Sequence, residues 1–204
     1  MGISAVIWDL GGVLVRTEDA SARQSLAERL KMSRSDLEKL VFNGESGWRG
    51  QLGEISIDEH CENVRRLTGQ GVDSMGEFQR LFWEGDRVDY ELVDYIRTLR
   101  GRYKTALLSN AFSNLREFVQ TVWKFDDAFD EIVISAEVGL VKPDALIYRL
   151  ALERLGVEPE QAVFIDDIFE NIEGARQAGL HAIHFRGPGQ ARGELEKLLD
   201  GSAA

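Results

Sequence analysis

One decapeptide constrains this chain more than any other stretch. Ala5-Val6-Ile7-Trp8-Asp9-Leu10-Gly11-Gly12-Val13-Leu14 is an apolar run that ends on an acid and turns at once on a glycine pair. Such a run predicts a buried strand whose last residue carries a carboxylate out of the sheet, followed by a tight turn. In open parallel sheets, ligands bind in the crevice beyond the carboxyl ends of the strands. If Asp9 stands there, other reactive side chains should stand at the ends of later strands.

From Asp86 onward, apolar strands alternate with amphipathic helices. Residues 105–108 form a strand ending at Ser109-Asn110. Residues 132–134 form a third, followed by a loop over 139–143. Residues 162–165 form a fourth, ending at Asp166-Asp167, and residues 182–185 a fifth. Between them Leu92, Val93, Ile96 and Leu99 recur at helical spacing, as do Ile147, Leu150, Ala151 and Leu155. Helix-like sequence also runs from the second strand to about Trp123, over 172–178, and around Leu195, Leu198 and Leu199. Gly101, Gly156 and Gly179 are the expected helix stops. This alternation predicts an α/β fold with a parallel sheet covered by helices on both faces.

Residues 17–85 read differently, with helical periodicity and little strand signal. Leu26 and Leu30, then Leu37, Leu40 and Val41, recur at helix spacing. Ser33 is an expected N-cap, and Ser56–Glu59 and Ser74–Glu77 match the capping box. Gly44, Gly47, Gly50 and Gly53, with Trp48 among them, predict a turn-rich connection. The expected organisation is a helical module over 17–85, inserted after the first strand of a core made of 1–16 and 86–204.

The chain has 204 residues, 44% of them hydrophobic, enough for one sizeable core plus a smaller module. The single cysteine, Cys61, excludes an internal disulfide and suits a reducing cytoplasm. It has no evident activating partner and is expected to be a buried residue rather than a nucleophile. No basic segment precedes the first apolar run, which is only a strand long, so neither a signal peptide nor a membrane span is expected. A net charge of −11 argues against nucleic acid as a partner. Any phosphate must therefore be held by local donors or by a metal ion. His60, His181 and His184 lack metal-ligand spacing and are expected to be structural. Trp48 and Trp83 suit core packing at least as well as a substrate pocket.

Four segments, in order and at their spacing, resemble the motifs of the haloacid dehalogenase-like (HAD) hydrolases. They are Asp9-Leu10-Gly11-Gly12-Val13-Leu14, Leu107-Leu108-Ser109-Asn110, Lys142-Pro143-Asp144, and Phe164-Ile165-Asp166-Asp167 with Asn171. Alone, each would read as a cap or a turn. Within the family the pattern is closest to the bacterial α-D-glucose-1-phosphate phosphatase type, which also has glycine two residues after the first aspartate. The resemblance implies a Rossmann-like three-layer core, with the insert as a small all-helical cap.

It also implies hydrolysis of a phosphate ester through a phospho-aspartate on Asp9, with Mg2+ as cofactor. A carboxylate facing a dianionic phosphate is repelled unless a cation sits between them. The implied metal ligands are Asp9, the Gly11 carbonyl and Asp167, with Asp166 reaching the ion through water and Asn171 orienting Asp167. Ser109 and the backbone amide of Asn110 would hold phosphate oxygens. Lys142 would place its positive charge on both the phosphate and Asp9. The implied partner is a small phosphorylated metabolite.

One departure matters. Most phosphatases of this family carry an aspartate two residues after the nucleophile, which protonates the leaving oxygen and later activates water. Here that position is Gly11. Such an acid typically contributes about 10²–10⁴-fold in rate. The first resolution is a substrate with a good leaving group, such as the anomeric oxygen of a sugar 1-phosphate. A second is a replacement acid from the cap, with Glu54 and His60 as candidates. The third is a weak or inactive relative. Two further readings stay open: a metal-free 2-haloacid dehalogenase, and a binding protein that uses the same fold.

Overall fold

The computed structural model describes residues 2–68 and 75–201. Strand β1 (Ala5–Trp8) lies at its centre, with all four residues fully buried. A strand covered on both faces requires such an unbroken apolar run. A short strand β2 (Val15–Thr17) then leads into five helices, α1 (Ser21–Arg29), α2 (Arg34–Asn43), α3 (Glu45–Gln51), α4 (Ile57–Thr68) and α5 (Met75–Trp83). Strand β3 (Asp86–Val88) returns antiparallel to β2. Helix α6 (Tyr90–Leu99), strand β4 (Lys104–Ser109) and the short helix α7 (Leu115–Glu117) follow, and α7 continues as a π-helical stretch, Phe118–Trp123. The chain closes with β5 (Glu131–Ile134), α8 (Ser135–Val138), α9 (Ala145–Leu155), β6 (Ala162–Asp166), α10 (Phe169–Gln177), β7 (His181–His184) and α11 (Pro188–Gly201).

The main sheet has the order β5-β4-β1-β6-β7, and every neighbouring pair is parallel. Side chains of β1 alternate between its faces. Val6 and Trp8 pack with Leu92, Ile96 and Leu195 of α6 and α11, while Ala5 and Ile7 pack with Ile147, Tyr148 and Ile172 of α9 and α10. These are the three layers of an α/β fold, as the alternating pattern predicts. Because β4 and β6 flank β1, a crevice opens at their carboxyl ends. Helices α1, α2, α4 and α5 share a separate cluster that includes Leu26, Leu37, Val41, Val64, Phe78 and Phe82. Among the described residues, no helix is long and apolar enough to cross a membrane.

The expected caps form where they can be checked. Ser33 Oγ accepts from Asp36 N at 3.1 Å, and Ser56 and Glu59 exchange both capping-box bonds, at 2.8 and 3.2 Å. Ser74, the expected start of the next box, lies outside the described residues.

The glycine-rich stretch corrects a sequence expectation. It is not a turn-rich connection, because residues 45–51 form α3. Its glycines serve close packing. A Cβ at Gly47 would stand 2.2 Å from the Val41 carbonyl oxygen, and one at Gly50 would stand 2.6 Å from the Phe112 ring. These contacts override a helix cost of about 1 kcal/mol per glycine. Between β4 and β5 the chain is helical to Trp123, as expected, but only three residues are α-helical before the π-helical stretch begins. Strands β2 and β3 have three residues each, too few for alternation to register in the sequence.

Arg23 ties the helical part to β3. Its guanidinium donates to the Phe82 carbonyl at 2.8 Å, to Glu38 at 3.1 Å and to Asp86 at 2.9 Å, and it stacks over the Phe82 ring at 4.4 Å. Only 12% of the Asp86 side chain is exposed. Arg23→Ala should therefore leave a mostly buried carboxylate short of its counter-charge and cost about 3 kcal/mol. A urea unfolding midpoint indistinguishable from that of the parent would refute this account.

Candidate active site

Asp9 is the first residue past β1, with its N–H donated to the Ile165 carbonyl at 2.9 Å. Trp8 pairs with Leu107 of β4 and with Ile165 of β6, so Ser109 and Asp166 end their strands at the same edge of the sheet. Lys142 arrives from the loop between α8 and α9. Its ammonium lies 2.7 Å from Asp9 Oδ1 and 2.7 Å from Asp166 Oδ2, and 5.3 Å from the centre of the Phe164 ring. All three charged side chains are buried.

Asp166 is fully engaged. Its Oδ1 accepts from Ile168 N at 2.7 Å, and Asn171 Nδ2 donates to both oxygens, at 3.1 and 3.0 Å. With Lys142 added, these bonds fill the roughly four lone-pair sites of a carboxylate. Asp166 therefore holds the lysine and has no oxygen site left for direct metal ligation. Asn171, expected to orient Asp167, orients Asp166 instead. It lies in the first turn of α10, where its amide faces the end of β6, and the Tyr148 hydroxyl donates to its carbonyl at 2.8 Å.

Asp167 reaches the same place from the exposed side. A Cβ at Gly12 would stand 2.1 Å from Asp167 Oδ2, and Gly12 has φ +76°. The positive φ favours glycine there, and a Cβ would also push the Asp167 carboxylate aside. Gly11 is the opposite case. Its φ is ordinary, and a Cβ there would meet nothing within 4 Å. The position has room for a side chain and carries none.

One oxygen from each of Asp9, Asp166 and Asp167 lies within 4.8 Å of the others. Burial pushes the Asp9 carboxyl up to about 7, against the pull of Lys142 and with the help of Asp166 and Asp167. Burial, then the Asp166 charge, also raises Asp167. Burial opposes the charge on Lys142, but Asp9 and Asp166 outweigh it and hold the ammonium above its usual range. Three carboxylates thus share one ammonium. An all-oxygen, net-negative donor set suits a hard divalent cation. Asp9 and Asp167 are the carboxylates with oxygen sites to offer it.

Ser109 is buried at the end of β4. Next to it, the Asn110 amide grips the Lys142 backbone, with Nδ2 donating to the carbonyl at 3.0 Å and Oδ1 accepting from the N–H at 2.8 Å. Ala111 N in turn donates to Ser135 Oγ at 2.9 Å. Ser135 carries no motif signal, and only the fold brings it to this loop. The two candidate replacement acids are engaged elsewhere. Glu54 pairs with Arg49 at 3.1 Å on the surface. His60 is buried, its Nδ1 3.0 Å from Ser46 Oγ and its ring stacked on Phe112 at 4.8 Å, and burial holds its pKa below the usual value. Neither hydrogen-bonds or ion-pairs with Asp9, Lys142 or Asp167. Cys61 is buried and its thiol pKa is raised, chiefly by that burial, which disfavours a reactive thiolate.

A family model described as haloacid dehalogenase-like hydrolase matches residues 3–179. Acyl-CoA dehydrogenase family member 10 of Mus musculus is 32% identical over 205 residues, covering 96% of this chain and 19% of that protein. A phosphorylated carbohydrates phosphatase of Thermotoga maritima is 29% identical over 208 residues, covering 98% of this chain and 89% of that one. A HAD family enzyme of Bacteroides thetaiotaomicron, solved with magnesium and inorganic phosphate, has the same fold. Its TM-score is 0.75 at 23% identity, over 89% of this chain and 93% of that one. The chain spans only 19% to 39% of the length of the first four curated relatives it matches.

Three substitutions test this geometry. In buffer free of divalent cations, Asp9 has its ordinary pKa of 3.8 when unfolded and one of about 7 when folded. The folded state then binds the extra proton. Its stabilising contribution is full below about pH 4 and is lost as pH rises through about 7. Asp9→Asn should therefore be more stable than the parent by a margin that widens across that range, and a constant margin in thermal melts would contradict the raised pKa. Gly12→Ala should cost about 1–3 kcal/mol in backbone strain, which a lowered urea unfolding midpoint would show. Gly11→Ala should leave the melting temperature unchanged or slightly raised.

Proposed function

The chain belongs to the haloacid dehalogenase-like hydrolase family, and on that premise we propose that it is a magnesium-dependent phosphatase acting on a small phosphorylated metabolite through a phospho-aspartate on Asp9. The observation that carries this reading is the Asp9 carboxylate, held 2.7 Å from a buried ammonium and clustered with two further carboxylates. A metal-free 2-haloacid dehalogenase would leave that surplus negative charge uncompensated.

Asp9, Asp167 and the Gly11 carbonyl would hold Mg2+, which neutralises negative charge on the ester and orients it. Ser109 and the backbone amide of Asn110 bind phosphate oxygens, and Lys142 adds its positive charge to them. Asp9 Oδ attacks phosphorus, and the bond from phosphorus to the leaving oxygen breaks as the new Oδ–P bond forms. The leaving oxygen takes its proton from solvent, because Gly11 has no acid to supply one. Water then attacks phosphorus and gives up a proton to solvent, the P–Oδ bond breaks, and inorganic phosphate and the Asp9 carboxylate are released. The helical segment over 17–85 acts as a cap on the core made of 1–16 and 86–204. Its seat on the core is supported by the close approach of Gly50 to Phe112 and of Gly53 to the Ala136 carbonyl.

An ester whose alcohol leaves without prior protonation suits this site best, and a sugar 1-phosphate is the leading candidate. The open position at Gly11 and the phosphatase for phosphorylated carbohydrates among the relatives both support that class. Native protein with Mg2+ should release phosphate from a phosphate-ester panel, while Asp9→Asn and metal-free protein should not. Equal release by native protein and Asp9→Asn would end the proposal. Gly11→Asp should fit sterically and raise turnover of primary-alkyl phosphates, by as much as about 10²-fold if the new carboxyl reaches the leaving oxygen. It should do little for p-nitrophenyl phosphate, whose leaving group needs no proton.

A further inference from the structure

Lys142 sits in a loop with no regular structure of its own, yet its ammonium must meet two carboxylates at once. Asp9 and Asp166 fix that end of the side chain. The other end depends on Asn110. Among the described residues, the Asn110 side chain is the only hydrogen-bond partner of the Lys142 backbone, and it satisfies both the N–H and the C=O. This clamp uses the single oxygen of the amide and one of its two N–H groups. The loop carrying Asn110 is pinned in turn. Ser135, fully buried at the start of α8, accepts from Ala111 N at 2.9 Å and donates to Ala111 O at 3.2 Å.

We propose that Asn110 is a positioning residue for Lys142. Its side chain sets where the lysine backbone stands, so that the ammonium spans Asp9 and Asp166. The side chain does this without acting as a substrate ligand. The inference rests on the phosphatase reading for what Lys142 does, but the clamp is a property of the chain itself. Without it, the ammonium is still drawn to Asp9 and Asp166, while its backbone is free to shift. A displacement of about 1 Å at a catalytic group costs roughly 10²-fold. The assignment also explains why an asparagine follows Ser109. A strand end facing an anion needs only a backbone N–H, whereas a two-bond grip on a neighbouring peptide needs a side-chain amide.

The test is a double-mutant cycle on Asn110→Ala, Lys142→Ala and the double variant. Two quantities are read, kcat/KM for p-nitrophenyl phosphate with Mg2+ and the calorimetric affinity for inorganic phosphate with Mg2+. The second remains measurable when turnover does not. Asn110→Ala should lower kcat/KM about 10–100-fold, as is typical for a residue that orients a site group. The double variant should be no worse than Lys142→Ala in either quantity. Losses that multiply, or an Asn110→Ala protein that matches native, would overturn the assignment. Asn110→Asp keeps the size but puts an oxygen against the Lys142 carbonyl, so it should be impaired while melting cooperatively. Full activity in that variant would also overturn the assignment. If native protein neither hydrolyses the ester nor binds phosphate, the phosphatase reading itself fails. Native activity combined with multiplying losses removes only the positioning role.

Discussion

The meeting of the Lys142 ammonium with the carboxylates of Asp9 and Asp166 is the constraint around which the site is built. Each buried charge costs several kcal/mol after relaxation, and such a group persists only when its remaining donors and acceptors are met. The fold meets that requirement from four directions. Strand β1 delivers Asp9 and β6 delivers Asp166. The start of α10 supplies Asn171 and, from the residue just before it, the Ile168 N–H, and the Asn110 amide holds the lysine backbone. Tyr148 on α9 secures the Asn171 carbonyl in turn. The parallel sheet brings these groups together because its strands all end at one edge.

The glycine pair after Asp9 shows how local geometry and chemistry diverge within one turn. Gly12 is dictated by its positive φ, and the Asp167 carboxylate lies where a Cβ would be. No packing contact dictates Gly11. A residue that nothing nearby requires to be glycine, beside a reactive carboxylate, concerns the reaction more than the fold. This is why leaving-group chemistry enters the functional reading.

Most of the fold was legible because burial on both faces writes a strong pattern. Stretches such as 162–165 are continuous apolar runs, and the helices beside them repeat at 3.6 residues. The site was partly legible, since Asp9, Ser109 and Asp166-Asp167 all fall where those runs stop. What was misread follows a common physical cause. Gly47 and Gly50 resemble turn residues in sequence, but inside α3 they accommodate a carbonyl and the Phe112 ring, neither of which is adjacent in the chain. Asn171 is near both aspartates in sequence, and only the packing of α10 against β6 directs its amide to Asp166 rather than Asp167.

By itself, the sequence determined the alternation of strands and helices, the strand-end placement of the acids and the absence of a side chain at position 11. These are local properties, carried by periodicity and by residue type. The tertiary structure alone decided that Asp166 spends all its oxygen sites on Lys142, Asn171 and Ile168 while Asp9 and Asp167 keep some to offer, that Ser135 and Asn110 hold their loops, and that Glu54 and His60 are engaged elsewhere. Hydrogen-bond partners many residues apart are set by how strands align and helices pack, and no local pattern in the chain encodes those distances.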